Sequence, residues 1–387
     1  MVGLLIAAAS LGIWICLLFA RGGFWRVAVR EEEQSAPPPA AWPDVVAIVP
    51  ARDEADVIAG TIASLLRQDY PGAFSLVLVD DQSRDGTAAL ARQSAAAAAA
   101  AERLTILVGH PAPPGWSGKV WAMKQGADSV ARLGQPPRYL LFTDADISHH
   151  PAALRQLVAL AEARQLVLTS LMVKLRCQSF AERLFIPAFI FFFQMLYPFA
   201  WVNRPTHRVA AAAGGCMLVR ASALAAAGGI EAISGALIDD CALARRMKQI
   251  GPTWLGLTDR VVSLRPYPHV DDIRRMVART AYDQLRRSPL LLLGTIAGMA
   301  LTYLAPPLLS LVASGATQII AILAWALMTL SFVPTLRFYR LSPLWALALP
   351  GKALAYMAFT LDSAYQHARG RGGSWKGRVH ANLSELR

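Results

Sequence analysis

The chain has 387 residues, 55% hydrophobic and 17% charged, with mean hydropathy +0.38; it is too apolar for an ordinary soluble protein and long for one domain. A net charge of +12 raises nucleic acid as a partner. The Lys and Arg residues instead cluster beside apolar runs and form no aromatic-basic stripe, which excludes nucleic acid and predicts contact with an anionic cytoplasmic leaflet. Cys16, Cys177, Cys216 and Cys241 have no paired spacing, which excludes a disulfide framework or zinc pattern and predicts reduced, buried thiols.

Residues 4–20 are almost uncharged and are followed by Arg21, Arg26 and Arg30. With no basic start and no convincing cleavage site, they read as an uncleaved anchor over 1–22, its N-terminus outside. A linker over 23–43 follows, Pro/Ala-rich at its end. The β-branched run Val45-Val46-Ala47-Ile48-Val49 predicts a buried parallel strand. A helix over 55–67, a strand over 76–79, a helix over 87–103 that includes the Ala-rich stretch 95–101, and a strand over 104–108 come next. A helix over 120–132 and a strand over 139–142 complete an alternation that predicts a parallel, doubly wound sheet, with ligands outside the carboxyl ends of its strands.

Each predicted strand end carries a polar cluster. Arg52-Asp53-Glu54 follows the first, Asp80-Asp81-Gln82-Ser83-Arg84-Asp85-Gly86-Thr87 the second, Gly115-Trp116-Ser117-Gly118-Lys119 the third, and Asp144-Ala145-Asp146 the fourth. Helix capping accounts for Asp53, Ser83 and Asp85. It does not account for carboxylates doubling at two strand ends, or for a lysine beside glycine at a helix start. Carboxylates accept hydrogen bonds from uracil and ribose, and a lysine at a helix N-terminus can hold a diphosphate. In an extended backbone Asp144 and Asp146 share a face and suit a hard cation, Mg²⁺ or Mn²⁺; alone, the pair also fits a loop cap.

With these motifs in order, residues 44–285 resemble a family 2 glycosyltransferase domain of the GT-A fold. The Gly115–Lys119 segment and the basic tail around Gly370-Arg371-Gly372-Gly373-Ser374-Trp375 resemble the hopene-associated glycosyltransferases in particular. The resemblance implies an inverting transfer from a nucleotide-sugar donor to a membrane lipid, with a polyprenyl-phosphate or polysaccharide acceptor, or a non-catalytic scaffold, as alternatives. It implies that Asp53, Glu54, Asp80, Asp81, Lys119 and Asp144 bind the donor, and that Asp144 and Asp146 hold the metal. It further places Gly214-Gly215-Cys216-Met217 on the acceptor side, and Asp239-Asp240 as the acidic pair, with Asp240 the base. A helix cap is the other reading of Asp240. The family's Gln-x-x-Arg-Trp motif is reduced to Arg279, which meets the diphosphate or sits at lipid headgroups.

Residues 183–202, rich in Phe and interrupted by Pro187, Gln194 and Pro198, read as an interfacial segment rather than a span, or else as a buried core helix. A membrane region over 286–361 holds two spans, 290–313 and 317–336. The stretch 341–361, broken by Pro350-Gly351-Lys352, reads as re-entrant, which returns the basic tail 362–387 to the cytoplasm, its Trp375–Arg378 stretch helping to cover the donor site. The expected protein is multi-pass in a bacterial inner membrane, with its catalytic domain cytoplasmic.

Overall fold

The computed structural model describes residues 1–132, 136–372, 374–375 and 378–379. It divides into two compact units, an α/β unit formed mainly by residues 29–176 and 201–266, and a helical unit of 1–28, 177–200 and 267–373. Lys376, Gly377 and residues 380–387 of the basic tail lie outside the described residues.

The α/β unit is built on eight strands: β1 Val45–Ala51, β2 Phe74–Asp80, β3 Leu104–Val108, β4 Tyr139–Phe142, β5 Ile147–His149, β6 Leu168–Lys174, β7 Met217–Arg220 and β8 Thr253–Ser263. Their order is β3-β2-β1-β4-β7-β6-β8-β5. The continuous apolar run in β1 has a direct cause. Val45, Ala47, Val49 and Ala51 point into one core, and Val46 and Ile48 into the other, so both faces are covered.

The sheet is mixed, with parallel pairs in the majority, in keeping with the expected mostly parallel, doubly wound sheet. β1–β2, β2–β3, β1–β4 and β6–β8 are parallel, whereas β4–β7, β6–β7 and β5–β8 run antiparallel. The alternation that predicts parallel pairing holds through β4; beyond it the strands pair across long sequence gaps. The Ala-rich stretch departs from expectation. Its helix, Thr87–Ala97, stops early, and Ala99 adopts a left-handed φ of 50° that turns the chain toward β3. Helix propensity is a weak preference, and strand pairing overrides it.

In the helical unit five helices are long and apolar enough to cross a membrane: Val2–Ala20, Phe180–Val202, Pro289–Val312, Gly315–Phe338 and Pro343–Ala368. Phe180–Val202 is the most enclosed, with 61% of its apolar window buried against 17% for Pro289–Val312. Pro187 does not end its helix. Pro350 sits in the first turn of the helix Leu349–Ala368, where its missing N–H is harmless, so Pro350-Gly351-Lys352 opens a helix rather than breaking one. The Arg21 guanidinium donates to the carbonyls of Met195 (3.0 Å) and Leu196 (3.3 Å), a cation at a helix C-terminus. Pro306 cannot donate to the carbonyl of Thr302; the Trp14 indole N–H takes that acceptor at 2.9 Å. No disulfide joins the four cysteines among the described residues; Cys216 and Cys241 are buried as expected, whereas Cys177 is half-buried and Cys16 is exposed, as is natural for an apolar anchor.

Candidate active site

The strand ends of the α/β unit deliver the expected residues to two adjoining clusters. The first joins the turns after β1 and β2. Asp53 has a left-handed φ of 49°; its N–H donates to Ser83 Oγ (3.0 Å), and its Oδ1 accepts from the Arg84 N–H (2.9 Å). The Glu54 N–H donates to Thr87 Oγ1 (2.9 Å), and the Ala55 N–H to Asp85 Oδ2 (2.9 Å). Asp85 Oδ1 accepts from the Thr87 N–H (3.1 Å), so one carboxylate caps the starts of two helices, Ala55–Leu66 and Thr87–Ala97. Asp85 thus binds first-turn N–H groups of both helices, although Gly86 holds the N-cap position of the second, and hydroxyl and carboxylate contacts hold Asp53 and Glu54. Asp80 Oδ1 accepts from the Ser83 N–H (3.0 Å). Asp81 is fully buried, with the Arg52 guanidinium 3.5 Å from its Oδ2.

The second cluster surrounds Lys119, at the start of the helix Gly118–Ala131. Its ammonium lies 2.8 Å from Asp144 Oδ1 and 3.2 Å from Asp239 Oδ2. The helix is set there by close packing: a Cβ on Gly126 would come within 2.5 Å of Ile48 Cγ2. Burial alone would lower the Lys119 pKa, but Asp144 and Asp239 together carry it well above the usual range. Asp239 and Asp240 occupy the first turn of the helix Asp239–Ile250, where the helix dipole favours carboxylates. Neither serves as a side-chain N-cap, a position held by Ile238. Instead Asp240 Oδ2 accepts from the Gly214 N–H (2.9 Å) and its Oδ1 from the Cys241 N–H (2.6 Å). Burial, then the neighbouring Asp239, push the Asp240 carboxyl up to about 6, with Lys119 acting the other way. A Cβ on Gly214 would sit 3.0 Å from Lys119 Nζ, so glycine keeps this approach open.

Arg265, just beyond β8, was not foreseen. Its Nε donates to Asp146 Oδ2 (2.9 Å) and its Nη2 to Glu54 Oε2 (2.5 Å). Reading the apolar run that ends at Ser263 as one more strand, with a charged residue at its end, is the signal that finds it. Asp146 has its pKa raised by burial and then by the Asp144 carboxylate. Two neighbouring hard oxygen donors that repel each other fit a divalent cation. No group of three or more His, Cys, Asp or Glu side chains placed to hold an ion occurs among the described residues. Asp144 and Asp146 would therefore furnish part of a coordination shell and a ligand's phosphate oxygens the rest. Arg279 lies in the helical unit, at the C-terminal end of the helix Val270–Ala278, where its N–H donates to the Arg275 carbonyl at 3.2 Å.

The sequence family described as "Glycosyltransferase like family 2" matches residues 43–266, more than half of the chain. The chain belongs to that family. Among solved structures, the mannosyltransferase PcManGT from Pyrobaculum calidifontis, in complex with GDP-Man and Mn²⁺, is similar over 94% of this chain and 99% of its own, with 18% identity and a TM-score of 0.54. Glucosyl-3-phosphoglycerate synthase of M. tuberculosis matches 63% of this chain and 80% of its own, with 18% identity and a TM-score of 0.40. TarS 1-349 of S. aureus, in complex with UDP-GlcNAc, matches 85% and 92%, with 13% identity and a TM-score of 0.41. The first shares the fold of this family 2 glycosyltransferase. No curated protein matches this chain.

Proposed function

We propose that this family 2 glycosyltransferase moves a sugar from a nucleotide-sugar donor to a membrane lipid, with inversion at the anomeric carbon, and that a hopanoid is the acceptor class to test first. The observation that carries the reading is the Lys119 ammonium, which spans Asp144 of the donor motif and Asp239 of the acidic pair. Donor and acceptor chemistry then meet within reach of one side chain. The five apolar helices support a membrane acceptor. The GDP-Man and Mn²⁺ in the mannosyltransferase of the same fold support the donor and metal.

In this reading Asp240 removes the acceptor hydroxyl's proton as the oxygen attacks the anomeric carbon. Its two backbone donors fix the carboxylate's direction, and a carboxyl near 6 is mostly ionised at neutral pH. Asp239 tunes that acidity and anchors Lys119. Lys119 faces the departing diphosphate and stabilises its charge, with Arg279 assigned the same duty from the helical unit. Asp53, Asp80 and Asp81 hold the nucleoside. A divalent metal on Asp144 and Asp146 would supply Lewis-acid stabilisation of the leaving group. In this reading the catalytic unit and the basic tail lie on the cytoplasmic side of a bacterial inner membrane.

The test is turnover of UDP-, GDP- and TDP-sugars by the full chain in lipid extract, with Mg²⁺ or Mn²⁺ and with chelator. Metal-dependent transfer of label into the organic phase is expected. No transfer from any donor, together with no nucleotide binding, would overturn the reading.

A further inference from the structure

The two charged contacts of Arg265 join residues from three separate strand ends. We propose that Glu54, Arg265 and Asp146 form a positioning relay, in which Glu54 and Arg265 set the Asp146 carboxylate for the metal and Glu54 itself does not touch the nucleoside. This rests on Asp144 and Asp146 being the metal pair.

The geometry is that of a rigid fork. Nε and Nη2 leave one planar guanidinium, so their contacts to Asp146 Oδ2 (2.9 Å) and Glu54 Oε2 (2.5 Å) fix the two carboxylates relative to one another. The segment that carries Arg265 also grips Asp146 directly. The Leu264 N–H donates to the Asp146 carbonyl (2.7 Å), and Ser263 Oγ lies 3.5 Å from Oδ2. Glu54 is only 7% exposed, and its N–H is bound to Thr87 Oγ1. Although Glu54 holds the N-cap position of the helix Ala55–Leu66, its side chain makes no capping bond there and reaches Arg265 instead. Charge explains why Glu54 is needed. Asp146 stands beside Asp144, and an unbalanced guanidinium would neutralise it and repel a cation. Glu54 balances the charge of Arg265, and the 2.9 Å contact from Nε fixes Asp146 Oδ2. Groups that orient a metal ligand in this way typically contribute on the order of 10–100-fold in metal affinity.

The experiment measures Mn²⁺ binding to the full chain in detergent, by the electron paramagnetic resonance of the free ion, with nucleotide binding in chelator followed in parallel. Circular dichroism gives the folded fraction of each variant. Arg265→Gln is expected to weaken Mn²⁺ binding by on the order of 10–100-fold. Glu54→Gln should weaken it less, with nucleotide binding in chelator unchanged. Arg265→Lys restores charge without the fork and should remain near the glutamine value. Full recovery in Arg265→Lys would overturn orientation as the cause. Unchanged Mn²⁺ affinity with lost nucleotide binding in Glu54→Gln would place Glu54 in the nucleoside pocket and overturn the relay. If Arg265→Gln does not fold, Glu54→Gln decides alone. A wild type that binds no Mn²⁺ either alone or with UDP or GDP present, or Asp146→Asn binding it as wild type does under the same conditions, overturns the metal reading beneath and the relay with it.

Discussion

Lys119→Met removes the cation that balances three carboxylates, and its effect can be followed through pH. Asp240 must be ionised to act as a base, so kcat/KM of the wild type should rise with pH through about 6. Lys119 holds that value down, against burial and Asp239. An opposite charge at 4–6 Å is worth about 1–3 pH units to a carboxyl. Without it the rising limb should move to about pH 7–9. At pH 7 the ionised fraction of Asp240 would then fall from roughly nine-tenths to between one half and one hundredth, a loss of about 2- to 100-fold. That part of the loss is recovered at alkaline pH, whereas lost stabilisation of the diphosphate is not. Measuring kcat/KM from pH 5 to 9.5 separates the two, because it reports groups of the free enzyme. A limb that stays at about 6, or moves to lower pH, would refute the electrostatic coupling of Lys119 to Asp240.

Asp240→Asn should lower turnover by about 10²–10⁴-fold, the usual contribution of a general base, while a fluorescent nucleotide still binds. Gly126→Ala places a Cβ 2.5 Å from Ile48 Cγ2 and 3.1 Å from Val79 Cγ2. Overpacking of about 1–3 kcal/mol should outweigh the gain in helix propensity, so Tm should fall; an unchanged Tm contradicts the packing. Glu31, 3% exposed, pairs with Arg260 at 3.1 Å, yet burial raises its carboxyl to about 7. A carboxyl raised above its unfolded value of 4.5 stabilises fully below that pH and less as pH rises through 7. Glu31→Gln should therefore leave Tm unchanged at pH 4, raise it relative to wild type at pH 8, and flatten its dependence between those values.

The first half of the sheet was legible because each element there announces itself locally. β3 and β4 match their expected bounds, and the carboxylates fall at strand ends because strand and helix alternate. The second half was not, since β6, β7 and β8 pair over gaps that no window of sequence spans. Arg265 shows the same limit at the site. It meets Glu54 across 211 positions of sequence, and only the folded sheet makes them neighbours. The Ala99 turn was hidden for the opposite reason: the local preference was clear and a tertiary demand overruled it. Asp239 and Asp240 were legible as a pair, but not the Gly214 N–H that aims one of them.

The hydrogen bonds that lace the turn after β1 to the turn after β2 have a consequence for how a ligand would arrive. Four such links, through Asp53, Glu54 and Ala55, make two loops into one plate. Such a plate surrenders its conformational freedom when the chain folds, long before any ligand appears. A nucleoside landing there would meet groups already in position, and little entropy would remain to be lost on contact. Selectivity in such a surface comes from shape, since a misfit cannot be accommodated by the loops re-forming around it.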